Sequence, residues 1–145
     1  MATPFDKIYE RALFKFKGYD ILKLTDEESM EHALYNYMLM AQADFQNICR
    51  KDLSDRDDAN GCYNADLDDI EIEILALGIR WHYISFLSAN DELYKNVLST
   101  KDATFYSPAN ILREIATEKE LFWDEYRKRT IDYSYYAGNI ATLKA

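Results

Sequence analysis

Asp52, Asp55, Asp57 and Asp58, followed by Asn60 and Gly61, gather the donor types of a calcium loop into one short stretch. An EF-hand loop places a carboxylate at its first position, glycine at its sixth and glutamate at its twelfth. Setting Gly61 at the sixth puts Arg56 first and Leu67 twelfth, and neither is a ligand. The run therefore reads as a solvated acidic loop. A di-iron bundle needs Glu-x-x-His on two helices. Here Ser29 stands three positions before His32, and Ile79 three before His82. The zinc-protease pattern His-Glu-x-x-His is missing, as are a P-loop and a GxSxG elbow. His82, beside Trp81, is the one candidate general base. No motif supplies it with a Ser or Cys nucleophile, so it reads as a structural histidine. Cys49 and Cys62 lack CxxC spacing and read as free thiols of a reducing compartment. These observations lead to the expectation of no enzyme activity, no metal and no cofactor.

The side chains that stand out are aromatic: 12 Tyr, 7 Phe and 2 Trp, an excess that needs a use. Tyr and Trp join apolar area to a polar tip and are enriched where proteins meet. Tyr133, Tyr135 and Tyr136 cluster near the C-terminus, and Phe105 and Tyr106 precede Ser107. With Ile140 and Leu143 they form the expected protein interface. The bland alternative is that the same rings fill the chain's own core.

Helices must position these groups. Thr3-Pro4 reads as an N-cap and first-turn proline. Phe5, Ile8, Tyr9, Ala12, Leu13 and Phe16 then share one face, with Gly18 as the stop. Thr25-Asp26-Glu27-Glu28 reads as a capping box. It opens a second helix to about Arg50, carrying Met30, Leu34, Tyr37, Met38, Ala41, Phe45 and Ile48. Residues 52–65 are expected to be an exposed loop with a turn at Asn60-Gly61. A third helix, Asp66–Ser88, has Asp68, Asp69 and Glu71 near its start, where negative charge suits the dipole. It is apolar on more than one side and so should be the hub of the core. Gly78 within it reads either as close approach of a neighbouring helix or merely as a tolerated defect. A short helix after Asn90-Asp91, a connector over Lys101–Tyr106 and a long last helix from Ser107-Pro108 to roughly Tyr133 follow. That last helix is traced by Ile111, Leu112, Ile115, Phe122, Trp123, Tyr126 and Thr130.

A chain of 145 residues fits one folding unit. Net charge is −9 and pI about 4.7, which argues against tight phosphate binding. No basic-then-apolar leader is visible at Met1-Ala2-Thr3-Pro4, and no stretch approaches the ~18 apolar residues of a membrane span.

Several segments resemble small head–tail connector (adaptor, or head-completion) proteins of tailed bacteriophages of Gram-positive hosts. They are Asp52-Leu53-Ser54-Asp55-Arg56-Asp57, residues 69–78 (DIEIEILALG), residues 101–110 (KDATFYSPAN) and Tyr133-Ser134-Tyr135. In pattern and length the resemblance runs from Thr3 to Leu143. It implies an all-α bundle of four to five helices with a long connector loop, residues 1–134, and an extended C-terminal tail, residues 135–145. It also implies a virion neck subunit, assembled in the host cytoplasm. About twelve copies would form a ring under the portal protein, each meeting its neighbour through two different faces. A neck or tail-completion protein would dock on the ring, and DNA would pass through its lumen without specific binding. No membrane is involved. The competing expectation is an acidic inhibitor that mimics nucleic-acid phosphates. It would use the loop carboxylates Asp55, Asp57, Asp58, Asp66, Asp68 and Asp69, with Asp52 beside them. An enzyme built around His82 is the third.

Overall fold

The computed structural model describes residues 2–16, 26–89 and 108–135. They are mostly helical. Four helices are present among them: α1 (Phe5–Leu13), α2 (Glu27–Phe45), α3 (Asp69–Ala89) and α4 (Pro108–Ser134). Three two-residue strands accompany them, β1 (Thr3–Pro4), β2 (Arg56–Asp57) and β3 (Cys62–Tyr63). β3 lies between the other two and is antiparallel to both, with Thr3 and Arg56 each opposite Tyr63. The expected short helix after Asn90 and the connector with Phe105 and Tyr106 lie outside the described residues. So do Gly18 and the tail positions Tyr136, Ile140 and Leu143.

The small sheet revises the expected start of the chain. Thr3 does not cap α1; the cap position is Pro4, with no side-chain hydrogen bond. Instead the Thr3 hydroxyl donates to the Ala65 carbonyl and accepts from the Leu67 amide, both at 2.9 Å. It ties the chain's start to the approach of α3. The amide of Phe5, which has no partner inside its own helix, donates to the Gly61 carbonyl at 2.8 Å. Gly61 holds φ +68°, the left-handed conformation its place in the Asn60-Gly61 turn requires. The stretch expected as an exposed loop is thus folded between α2 and α3. Leu53 and Tyr63 are fully buried in it, and the Tyr63 hydroxyl donates to Gln42 at 2.9 Å.

The cap of α2 sits one residue later than the spacing predicts: Asp26 accepts from the Ser29 amide at 2.7 Å. The helix ends at Phe45, before Arg50, and turns through residues 46–48. Leu34, Met38, Ala41 and Phe45 form its buried stripe. α3 begins at Asp69 with a reciprocal box. Asp68 accepts from the Glu71 amide while Glu71 accepts from the Asp68 amide, both at 2.9 Å. Residues 74–80 are all buried, and α1, α2 and α4 each pack on α3, so it is the hub. At Gly78 a Cβ would overlap Ala41 of α2 and come within 3.1 Å of the Tyr126 ring of α4. The absent side chain lets both helices approach α3. α4 turns Glu118, Tyr126 and Tyr133 inward. Glu118 meets Arg80, itself fully buried, at 3.2 Å. The guanidinium lies 5.0 Å from the Phe16 ring and 5.2 Å from that of Phe122.

Candidate interaction surface

Long helices with one buried stripe leave the opposite stripe to solvent, and on α4 that stripe is partly apolar. Trp123, Arg127, Ile131 and Tyr135 recur every four residues and so line one flank. Trp123 is 42% exposed, Ile131 54% and Tyr135 52%. Trp123 and Trp81 of α3 meet at 4.9 Å between ring centroids. With Asp44, Tyr126, Arg127, Thr130 and Ile131 they line a groove of about 380 Å³. A second hollow, of about 390 Å³, lies across the tryptophan pair and is lined by Ala116, Lys119 and Glu120.

One wall of the groove is polar and held by three helices. Asp44 of α2 accepts from the Tyr126 hydroxyl at 3.0 Å and pairs with His82 Nε2 at 2.7 Å. Burial, and then the charge of Asp44, push the Tyr126 hydroxyl well above its ordinary value, so it stays a protonated donor. This gives His82 the orienting carboxylate that the sequence did not reveal, because Asp44 lies far away along the chain. Among the described residues the partner of the ring is the Asp44 carboxylate. The arrangement can brace α2 against α3 and α4.

The residues expected to form an interface separate here. Tyr135 is exposed, as an interface needs. Tyr133 is not: it is 5% exposed and belongs to a buried knot. Its hydroxyl donates to Glu71 at 2.7 Å and accepts from the Arg50 amide at 2.9 Å. Glu71, fully buried, also takes Lys51 Nζ at 2.7 Å and the Cys49 thiol at 3.3 Å. Burial alone would raise the Glu71 carboxyl, but Lys51, the Asp68 amide, Tyr133 and Cys49 outweigh it and hold it below its ordinary value. The Tyr133 hydroxyl is pushed up to about 12, chiefly by burial. Cys49 is pushed up to about 11 by burial, with Glu71 adding to it, so its thiol is not activated.

The acidic loop is exposed, yet most of its carboxylates already serve the loop. Asp52 binds the Ser54 amide and hydroxyl, Asp55 the Asn64 amide group, and Asp57 both nitrogens of Asn60. Asp58 takes Arg56 and the Tyr35 hydroxyl, Asp68 caps α3, and Asp69 lies 3.7 Å from Arg11. Asp66 is exposed. Among the described residues no group of three His, Cys, Asp or Glu is placed to hold a metal ion. No helix among them is long and apolar enough to cross a membrane.

A further apolar surface lies at the C-terminal end of α1. Phe14 is 91% exposed, and with Leu13, Met30 and Glu10 it borders an open hollow. Neither Phe14 nor Trp123 was singled out by spacing as an exposed group. Phe14 follows directly on Leu13, and Trp123 directly on Phe122. Helical neighbours lie about 100° apart, so a single buried stripe takes only one of each pair. No family model, curated protein or solved structure matches this chain.

Proposed function

We propose that the chain is a virion structural protein: a head–tail connector subunit that forms a ring below the portal, extends the DNA channel and docks the next neck or tail component. One observation carries this reading. The folded body exposes two unlike apolar surfaces, a projecting phenylalanine at the end of α1 and a tryptophan-lined groove on α4. Head-to-tail contacts that close into a ring need two different surfaces on each subunit, whereas a two-fold dimer needs only one. The sequence resemblance points the same way. The finer architecture belongs to the same proposal: a helical body of residues 1–134, a connector loop, and a tail of residues 135–145 that reaches a neighbouring subunit or the portal.

The phosphate-mimic alternative is weaker. A mimic must present carboxylates to a partner, and most of these are engaged in building their own loop. Catalysis at His82 draws no support from a ring held between Asp44 and Trp81.

Deleting Tyr135–Ala145 tests the assembly role. The truncated chain should keep its helical circular dichroism and lose either self-assembly or attachment to portal-bearing heads. A truncated chain that still joins particles at the full-length level would overturn the interface role of the tail.

A further inference from the structure

We propose that the pocket between α1 and α2, beside the Asn60-Gly61 turn, binds an alkylammonium group. The inference does not depend on the ring reading. Phe5 and Tyr9 of α1 and Tyr35 of α2 line this pocket of about 330 Å³, with Asp6, Glu28 and Glu31 exposed around it. The Phe5 ring lies 5.8 Å from that of Tyr35 and 6.4 Å from that of Tyr9, between centroids. Aromatic faces and carboxylates both attract a cation, and the apolar stem of an amine suits the rings. Tyr9 is the second, independent pointer. It is only 8% exposed, yet it lines the pocket, and among the described residues its hydroxyl has no hydrogen-bond partner. The Tyr35 hydroxyl, by contrast, donates to Asp58 at 2.9 Å. Leaving such a group unpaired is costly, so a ligand that bonds to it gains by doing so. Burial, and then Asp6, Tyr35, Glu31 and Asp58, push the Tyr9 hydroxyl well above its ordinary value. It therefore stays a neutral phenol, whose oxygen can accept from an ammonium N–H.

The local charge stays one-sided when the basic neighbours are counted. Among the described residues no Lys or Arg lines the pocket, and α2 contains neither from Glu27 to Phe45. Lys7 follows Asp6, but helical spacing of about 100° per residue turns it to the side of α1 away from Phe5, Asp6 and Tyr9. Arg11 and Lys15 pair with Asp69 and Glu73 on the α3 side. Arg56 is taken up by Asp58 and Gln42. His32 lines the pocket and adds positive charge only when protonated. Lys17 and Lys23 lie outside the described residues. A bare metal ion suits the site poorly, because no three of these groups converge on one point among the described residues. An ammonium carries three N–H donors on a narrow stem and can reach acceptors that stand apart.

Such a group can come from a free small amine or from a lysine side chain of another protein, and the test separates the two. The full-length chain is titrated at mildly alkaline pH and fixed ionic strength with n-butylammonium, and separately with a capped peptide of one lysine among glycines. NMR ring signals of Phe5 and Tyr35 report binding. Saturable shifts with a Kd on the order of 1 mM are expected for a single ammonium. Butyrate, similar in length and opposite in charge, should give none. Tyr9→Phe breaks no internal hydrogen bond, so it should melt no lower than wild type, yet it should weaken binding about tenfold. Glu31→Gln, at an exposed position, should weaken it about tenfold as well. Lys7→Gln, on the far side of α1, should leave the affinity unchanged. A peptide that binds more tightly than the free amine assigns the site to a protein lysine, and the reverse order assigns it to a small amine. Four results would each overturn the site: shifts that do not saturate, an equal response to butyrate, displacement of the amine by magnesium ion at the same ionic strength, or Tyr9→Phe and Glu31→Gln chains that bind as wild type does.

Discussion

Replacing Tyr133 by Phe removes one oxygen and leaves the ring, so it isolates the hydroxyl that joins the end of α4 to the start of α3. In the folded protein that hydroxyl donates to the buried Glu71 carboxylate at 2.7 Å and accepts from the Arg50 amide at 2.9 Å. A hydrogen bond to a charged group is worth about 1.5–3 kcal/mol net. Arg50 is exposed, so water can replace the lost acceptor there. Glu71 keeps Lys51, the Asp68 amide and the Cys49 thiol. The loss should therefore be about 2 kcal/mol, or roughly 6–8 °C in melting temperature for a chain of this size. Its pH dependence has a definite sign. The Glu71 carboxyl is held below its ordinary value of 4.5 in the folded state. Its contribution is full above 4.5 and is lost as pH falls through the folded value. The variant's Glu71 is less depressed and loses less on acidification. The gap between wild type and variant should be widest near neutrality and narrow below about pH 4.5. Urea unfolding of both proteins across that range measures it. A neutral-pH gap under about 0.5 kcal/mol, where mutational effects on exposed surface lie, or a gap that widens in acid, would refute the reasoning.

Other substitutions probe the packing in the same way. Gly78→Ala gains about 1 kcal/mol of helix propensity but forces α2 and α4 off α3. Overpacking costs about 1–3 kcal/mol, and the rigid Ala41 methyl sets it at the upper end, so denaturant melts should show a net loss of about 2 kcal/mol. Arg80→Ala breaks the buried Arg80–Glu118 pair and should cost about 3–5 kcal/mol. The double change Arg80→Met, Glu118→Leu should cost much less than that, as a double-mutant cycle would show. Thr3→Val orphans the buried Leu67 amide and should cost about 1–3 kcal/mol, read as a lower urea midpoint with unchanged slope.

What was legible in the residues depended on the range of the interaction. The α3 hub follows from local pattern, because a helix surrounded by neighbours must be apolar on several sides; Gly78 left close approach and a tolerated defect both open, and the contacts with Ala41 and Tyr126 decide for close approach. Strands of two residues have no periodicity to read. Thr3 matches an N-cap pattern, and only the fold brings it to Ala65 and Leu67. Leu53 and Tyr63 are single apolar residues in a polar stretch, so their burial was hidden by composition. Tyr133 misleads for the same reason. Position near the C-terminus suggested an unfilled surface, while its partners Glu71 and Arg50 lie on distant segments. The Asp44–His82–Tyr126 wall joins three helices and has no sequence signature. The third helix was expected from Asp66, and the Asp68–Glu71 box moves its start to Asp69.

The central proposal is that this chain acts as one of many copies in a virion neck. Native mass measurement of the full chain, alone and added to portal-bearing heads, tests it most directly. Assembly into a closed multiple of the 17.0 kDa subunit, retained on the heads, is the expected result. A chain that stays single in both settings and sediments apart from the heads contradicts it.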